Sequence, residues 1–457
     1  MSTAVLAASP ATQRMLRAPV LPTLLGLALP NVLGLLANTV VIGFDGYIVG
    51  RLGADTLAGV AVVLPLAMLM LQMSAGALGG STTAVVARAL GAGDAPHATR
   101  LARHALLLGL AASLAFTVVA ARPALYAALG ARGAVLAEAS AYAGVLFAGA
   151  AAIWTVNVLA GIARGCGDMA AAALALIGTT AMHLLLCPTL VFGIGSWTGL
   201  GVAGAAASTV TCNALSALGL LAWLSRRGRP VRVLGPGWQP QHASFRAVLE
   251  LALPSGLSPI LSNGSIALAT AYVGSYGSLA VAAYGIAARL EYILVPIAFG
   301  FGSALTAMVA TNLGAQQAVR AKGVAWTGAG LVWAVTGLIG LLAALWPQAW
   351  MGLFSADAGV HAWGSSYLRI VGGAYGFFGL GLALFFASQG AGRLAWPLTA
   401  STARLAIVGI GGWLVLRLAG GTPQALYAVV AVGLAVMGLL LAAATYLADW
   451  GAHARGA

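Results

Sequence analysis

The chain is predicted to be an all-α, polytopic membrane protein, with twelve transmembrane helices in two six-helix pseudo-symmetric lobes. Three observations predict this. Only 7% of the residues are charged and 61% are hydrophobic, with a mean hydropathy of +0.97, whereas a soluble domain carries about 25% charged residues. Apolar runs recur along the whole 457-residue chain, each near the ~20 residues that cross a bilayer. Landmarks of the first half also return in the second at an almost constant offset.

Apolar runs bounded by charged or Gly/Pro-rich breaks place helices in turn. The first three cover 21–50, opening beyond Arg14 and Arg17; 57–87, closing at Arg88; and 99–122, ending before Pro123. Then come 136–162, stopping at ARGCGD; 170–194, stopping at Gly193 and Gly195; and 199–224, stopping at Arg226. The second half repeats the pattern at 247–274, 279–311, 323–346, 362–388, 395–417 and 424–447. The resulting organisation is a tail (1–20), an N-lobe (21–224), a linker (225–246), a C-lobe (247–447) and a C-terminal tail (448–457). The linker alone is rich in Arg, Pro and Gly together.

Leu27-Ala28-Leu29-Pro30 returns as Leu251-Ala252-Leu253-Pro254, and Gly50 and Gly53 as Gly274 and Gly277, at an offset of 224. Leu90-Gly91-Ala92 returns as Leu313-Gly314-Ala315 at 223, and Tyr142, Gly165 and Gly167 as Tyr367, Gly390 and Gly392 at 225. Six spans per half give both copies the same orientation, hence parallel repeats with a cleft between them, as in two-lobed transporters.

Lys and Arg crowd the side that holds the N-terminus, which sets both termini in the cytoplasm of an inner-membrane protein. The net charge of +13 is dispersed between apolar runs, so nucleic acid is not an expected partner; lipid bilayer and small-molecule substrates are, with the chain working as a monomer. Cys166, Cys187 and Cys212 form no disulfide framework or zinc motif. The N-terminus lacks the order of a cleaved signal peptide, so the first span is expected to remain as an anchor. No paired carboxylates or nucleophile–base constellation speaks for an enzyme, and no cofactor is expected beyond H⁺ or Na⁺ as coupling ion.

Among the nine acids, only Asp45 and Glu291 fall well inside spans, where an ionisable group is costly and usually functional. Asp45 either binds and releases a cation or stands wet beside Arg51 at the outer end of its helix. His183 lies in the middle of a predicted span, whereas His104 stands near the start of its own; His183 either shares a proton with Asp45 or is a neutral histidine bonded to a backbone carbonyl. Pro30 and Pro254 are candidate helix kinks. Asn38, Tyr142, Asn157 and Met68 are candidates to line a substrate cavity, against plain interhelical bonding and packing. Glu291 and Arg404 are candidates for the same cavity or for a structural ion pair, and Asp168 reads as solvated loop.

The LALP opening, FDGYIVGRLG, ARALGAGD, GIARGCGDM, LGVAGAAASTV and AAYGIAARLEYILVPIAFGFGSALTAMVATNLGAQ together resemble the multidrug and toxic compound extrusion (MATE) family. The resemblance implies a V-shaped antiporter that exports cationic or amphipathic compounds by alternating access, driven by H⁺ or Na⁺. It places Asp45 on the family's helix-1 coupling carboxylate. His183 and Cys187 stand where relatives carry an Asn-x-x-x-Asp pair, and Thr209 matches a polar position of that network. Ser262 takes the place of a helix-7 glutamate of some sodium-coupled relatives. A carboxylate lost and a nitrogen gained favour H⁺ over Na⁺, since hard cations prefer oxygen. The alternative is a lipid-linked oligosaccharide or cell-wall precursor flippase of the same superfamily; against it, Arg289 and Arg404 alone are assigned to span interiors rather than to either membrane face.

Overall fold

A computed structural model of the protein describes residues 9–226, 228–235, 239–418 and 421–450, without the side chains of residues 38, 42 and 292. Among them no strand forms, and a lone bridge joins Ile194 to Trp197. Twelve rods follow the predicted order: α1 Val20–Gly50, α2 Ala54–Gly91, α3 Ala95–Ala120, α4 Gly133–Ala148 with Ala150–Gly165, α5 Met169–Phe192 and α6 Val202–Leu224. The second half holds α7 His242–Gly274, α8 Ser278–Gly314, α9 Ala318–Leu345, α10 Ala358–Ala391, α11 Ala395–Leu418 and α12 Pro423–Leu447. Ten of these are long and apolar enough to cross a membrane, and the two pieces of α4, bent by 46°, make an eleventh. The twelfth, α7, has 33 residues and a polar opening turn.

Helix starts have local causes. Asp94 caps α3 by accepting from the His97 amide at 2.8 Å, Asp168 caps α5 through Ala171 at 3.1 Å, and Asp357 caps α10 through Val360 at 2.8 Å. Each satisfies an otherwise orphaned helix N–H. Gly167, just before the second cap, has φ +79°, which a side chain rarely tolerates. Asp168 is therefore not solvated loop. Its second oxygen accepts from Trp223 Nε1 at 3.0 Å and from Arg229 at 2.8 Å, and Arg229 lies 4.4 Å over the Trp223 ring.

Two compact units result, one of Leu29–Gly256 with the stretch up to Leu16, the other of Arg17–Ala28 and Leu257–Ala457. These depart from lobes drawn at 21–224 and 247–447, because the opening turns of α1 pack with the second unit and those of α7 with the first. Both exchanges occur within a few residues of Pro30 or Pro254, although α1 and α7 are continuous through them. The described part of the linker is docked on the first unit. Arg103 Nε donates to the Val233 carbonyl at 3.0 Å, the Gln241 amide donates to His104 Nε2 at 2.8 Å, and Val231 and Val233 are buried.

Lipid tails are as apolar as leucine, so close approach and hydrogen bonds hold such helices together. A Cβ on Gly161 would stand 2.4 Å from the Gly79 carbonyl oxygen, and one on Gly204 2.3 Å from that of Leu190. Thr83 bonds the Gly161 carbonyl at 3.0 Å, and Thr306 that of Phe386 at 2.9 Å. Each such bond is worth about 0.6 kcal/mol. Outward faces carry exposed Leu114, Leu185, Leu218 and Leu338, as a lipid-facing surface should.

Candidate functional site

Three helices of the first unit build one polar cluster. On α5, Thr180, His183, Cys187 and Val191 are buried at three- and four-residue spacing, which is one helix face. On α6, Gly204, Ser208, Cys212 and Ser216 are buried at four-residue intervals. Gly204 lets this stripe approach α5, and Ser216 meets Thr179 at 2.6 Å. The facing side of α1 buries Ile48 and Val49 one turn beyond Asp45.

At the meeting point His183 Nε2 stands 2.7 Å from Asp45 Oδ1, and Ser208 Oγ stands 3.0 Å from His183 Nδ1. The Cys187 thiol donates to the same Asp45 oxygen at 3.8 Å. The side chain of His183 is 3% exposed and that of Asp45 29%, so the carboxylate alone keeps an accessible face. Tyr142, half-buried, packs beside Cys187 against Ile48 and Val49.

With both ring nitrogens engaged, the tautomer follows from the partners. In the neutral ring Nε2–H donates to the carboxylate and Nδ1 accepts from the Ser208 hydroxyl. In the imidazolium both nitrogens donate, and the hydroxyl turns to accept. Ser208, His183 and Asp45 thus form a hydrogen-bonded row in which one proton changes the charge of a buried group.

The structure brings Asp45, His183, Cys187 and Tyr142 together. Thr209 is not in the row; its hydroxyl donates to the Ala205 carbonyl at 3.2 Å, because neighbours on a helix point about 100° apart and Ser208 takes the inward position. The side chain of Asn38 lies outside the described residues. Asn157 donates to Ser74 at 2.9 Å, an interhelical bond away from Asp45. Met68 is half-buried on α2, beside the buried Met70.

Glu291 and Arg404 form no ion pair among the described residues, contrary to the structural pairing expected of them. Glu291 accepts from the Tyr367 hydroxyl at 3.4 Å, while the Arg404 guanidinium lies 5.5 Å over the Phe378 ring. Both side chains are held by α10 rather than by each other.

Sequence reasoning missed Ser208 and Cys212. Their signal was the interval from Gly204 through Ser216, small or polar residues every four positions, which marks a tight helix–helix seam.

The MatE family matches residues 30–189 and again 254–413, two stretches displaced by 224, the spacing of the LALP repeat. A protein described as an "FAD transporter" from Shewanella oneidensis is 29% identical over 381 residues, covering 82% of each chain. The "Probable multidrug resistance protein YoeA" of Bacillus subtilis is 24% identical over 76% of each chain. A solved MOP superfamily transporter from Pyrococcus furiosus superposes with a TM-score of 0.89 at 22% identity, covering 96% of this chain and 98% of its own. That similarity carries the fold.

Proposed function

This chain belongs to the MatE family, a family of membrane transporters, and from that premise we propose that it is a proton-coupled exporter of small cationic or amphipathic compounds. It works by alternating access, as a monomer in the inner membrane without a cofactor. Both termini face the cytoplasm, in keeping with the bias of Lys and Arg toward that side. Multidrug relatives such as the Bacillus protein support the substrate class.

The observation that carries the reading is the 2.7 Å contact between His183 and Asp45. When the pair holds no added proton its net charge is −1; with one it is zero. At ~4 Å and an effective dielectric constant of ~20, removing that charge weakens attraction for a cation by about 4 kcal/mol, roughly a thousandfold in affinity. Proton and cationic substrate therefore exclude each other at Asp45, and a proton entering from outside releases the substrate there. Sodium finds an imidazole nitrogen and a thiol where a hard cation needs oxygen.

Dye efflux from proteoliposomes under separate pH and sodium gradients tests this. A pH gradient alone is expected to drive efflux, and Asp45→Asn to abolish it in a folded protein. Efflux driven by sodium and indifferent to pH would overturn the proton assignment.

A second substrate reading, an anionic flavin dinucleotide, is favoured by the Shewanella relative. Competition between dye and flavin in the same vesicles separates the two.

A further inference from the structure

We infer that Asp45, His183 and Cys187 form a binding site for a borderline divalent metal ion of the zinc and cadmium class. Their donor atoms all lie within 4.8 Å of one another, although the chain carries no zinc motif along its sequence. A carboxylate, an imidazole and a thiol are the donors such ions take, usually as three protein ligands plus one open position. Calcium and magnesium require oxygen. Zinc bond lengths of ~2.0–2.3 Å in tetrahedral geometry set N···O and S···O edges of about 3.4 and 3.6 Å. The thiol already stands 3.8 Å from the carboxylate oxygen, and the 2.7 Å nitrogen–oxygen contact needs to open by only about 0.7 Å.

Two further features suit a metal. Ser208 holds the non-ligating nitrogen of His183 at 3.0 Å, the outer-shell bond that orients most metal-binding histidines. Asp45 at 29% exposure leads outward from a buried imidazole and thiol, which gives the ion a way in. Cys166 is not a competing ligand: it lies in the turn after α4, where burial, with the Asp168 charge adding to it, pushes its thiol up to about 12.

An ion seated there occupies the carboxylate and imidazole together and so arrests exchange. That consequence rests on the proton-coupling reading; the binding itself does not. The test is Co²⁺ titration of the purified full-length protein, read by its thiolate-to-cobalt absorption, with Zn²⁺ affinity measured by competition. The wild type is expected to show the band. Cys187→Ser should lose it, as should Cys187→Ala if the serine variant fails to fold. Cys166→Ser should keep it, and Ser208→Ala should keep it while binding 10- to 100-fold more weakly. Absence of the band in the wild type, or its survival in both Cys187 variants, overturns the site whatever drives transport.

Discussion

Ser208 and His183 meet at 3.0 Å across the α5–α6 seam, while the opposite ring nitrogen touches Asp45 at 2.7 Å. The imidazole is clamped between two helices, so neither its tilt nor its tautomer is free. Replacing Ser208 with alanine leaves a buried ring nitrogen unpaired, at a cost of about 1–3 kcal/mol. We expect Ser208→Ala to cut gradient-driven efflux several-fold and to lower the melting temperature. Thr209→Ala, one residue along, should change neither, and equal losses in both variants would contradict the clamp.

Asp168 offers a cleaner stability test, being remote from the Asp45 cluster. Asp168→Ala removes a helix cap worth ~1 kcal/mol together with the bonds to Trp223 and Arg229. A loss of about 2–3 kcal/mol is expected, seen as a lower melting temperature in detergent. Asp168→Asn keeps the cap and should recover part of it; an asparagine variant no better than alanine would mean the charge is what matters.

The seam itself can be probed at its narrowest point. Gly204→Ala puts a methyl group 2.3 Å from the Leu190 carbonyl oxygen, whereas at Gly219 on the same helix a Cβ meets nothing within 4 Å. We expect the first substitution to separate α5 from α6, destabilise the protein and abolish efflux. The second should be neutral or slightly stabilising, since alanine is the better helix former by up to ~1 kcal/mol.

In the second unit, Glu291 accepts from Tyr367 and Arg404 stacks over Phe378 on α10, while the Arg404 Nε is buried without a hydrogen-bond partner among the described residues. A Glu291→Arg, Arg404→Glu double exchange should therefore not restore the expression and thermal stability lost in the single variants. Full rescue would show that the two charges meet after all.

Helix number and order were legible because polar breaks in a chain with 7% charged residues are conspicuous. Asp45 was legible for the same reason, as an acid where few can stand. His183 and Cys187 could be brought to it through family resemblance, but the choice between Ser208 and Thr209 could not. That choice depends on the rotation of α6, set by how closely Gly204 approaches α5. The partial burial of Asp168 was hidden because the partners of its second oxygen, Trp223 and Arg229, lie 55 and 61 residues away in sequence, although its cap to Ala171 is local. Glu291 and Arg404 misled because opposite charges in oil suggest a pair, while nearby tyrosine and phenylalanine rings served each instead.

The displacement of 224 residues between the two family matches carries Asp45 onto Ala269, His183 onto Ile407 and Cys187 onto Gly411. The last two bracket the π-helical turn Ile407–Gly411 of α11, so the duplicate holds only carbon and backbone where the original holds an acid, a base and a thiol. The two halves thus share a frame but not this cluster: a tandem built from two first halves would own two such triads, and one built from two second halves would own none.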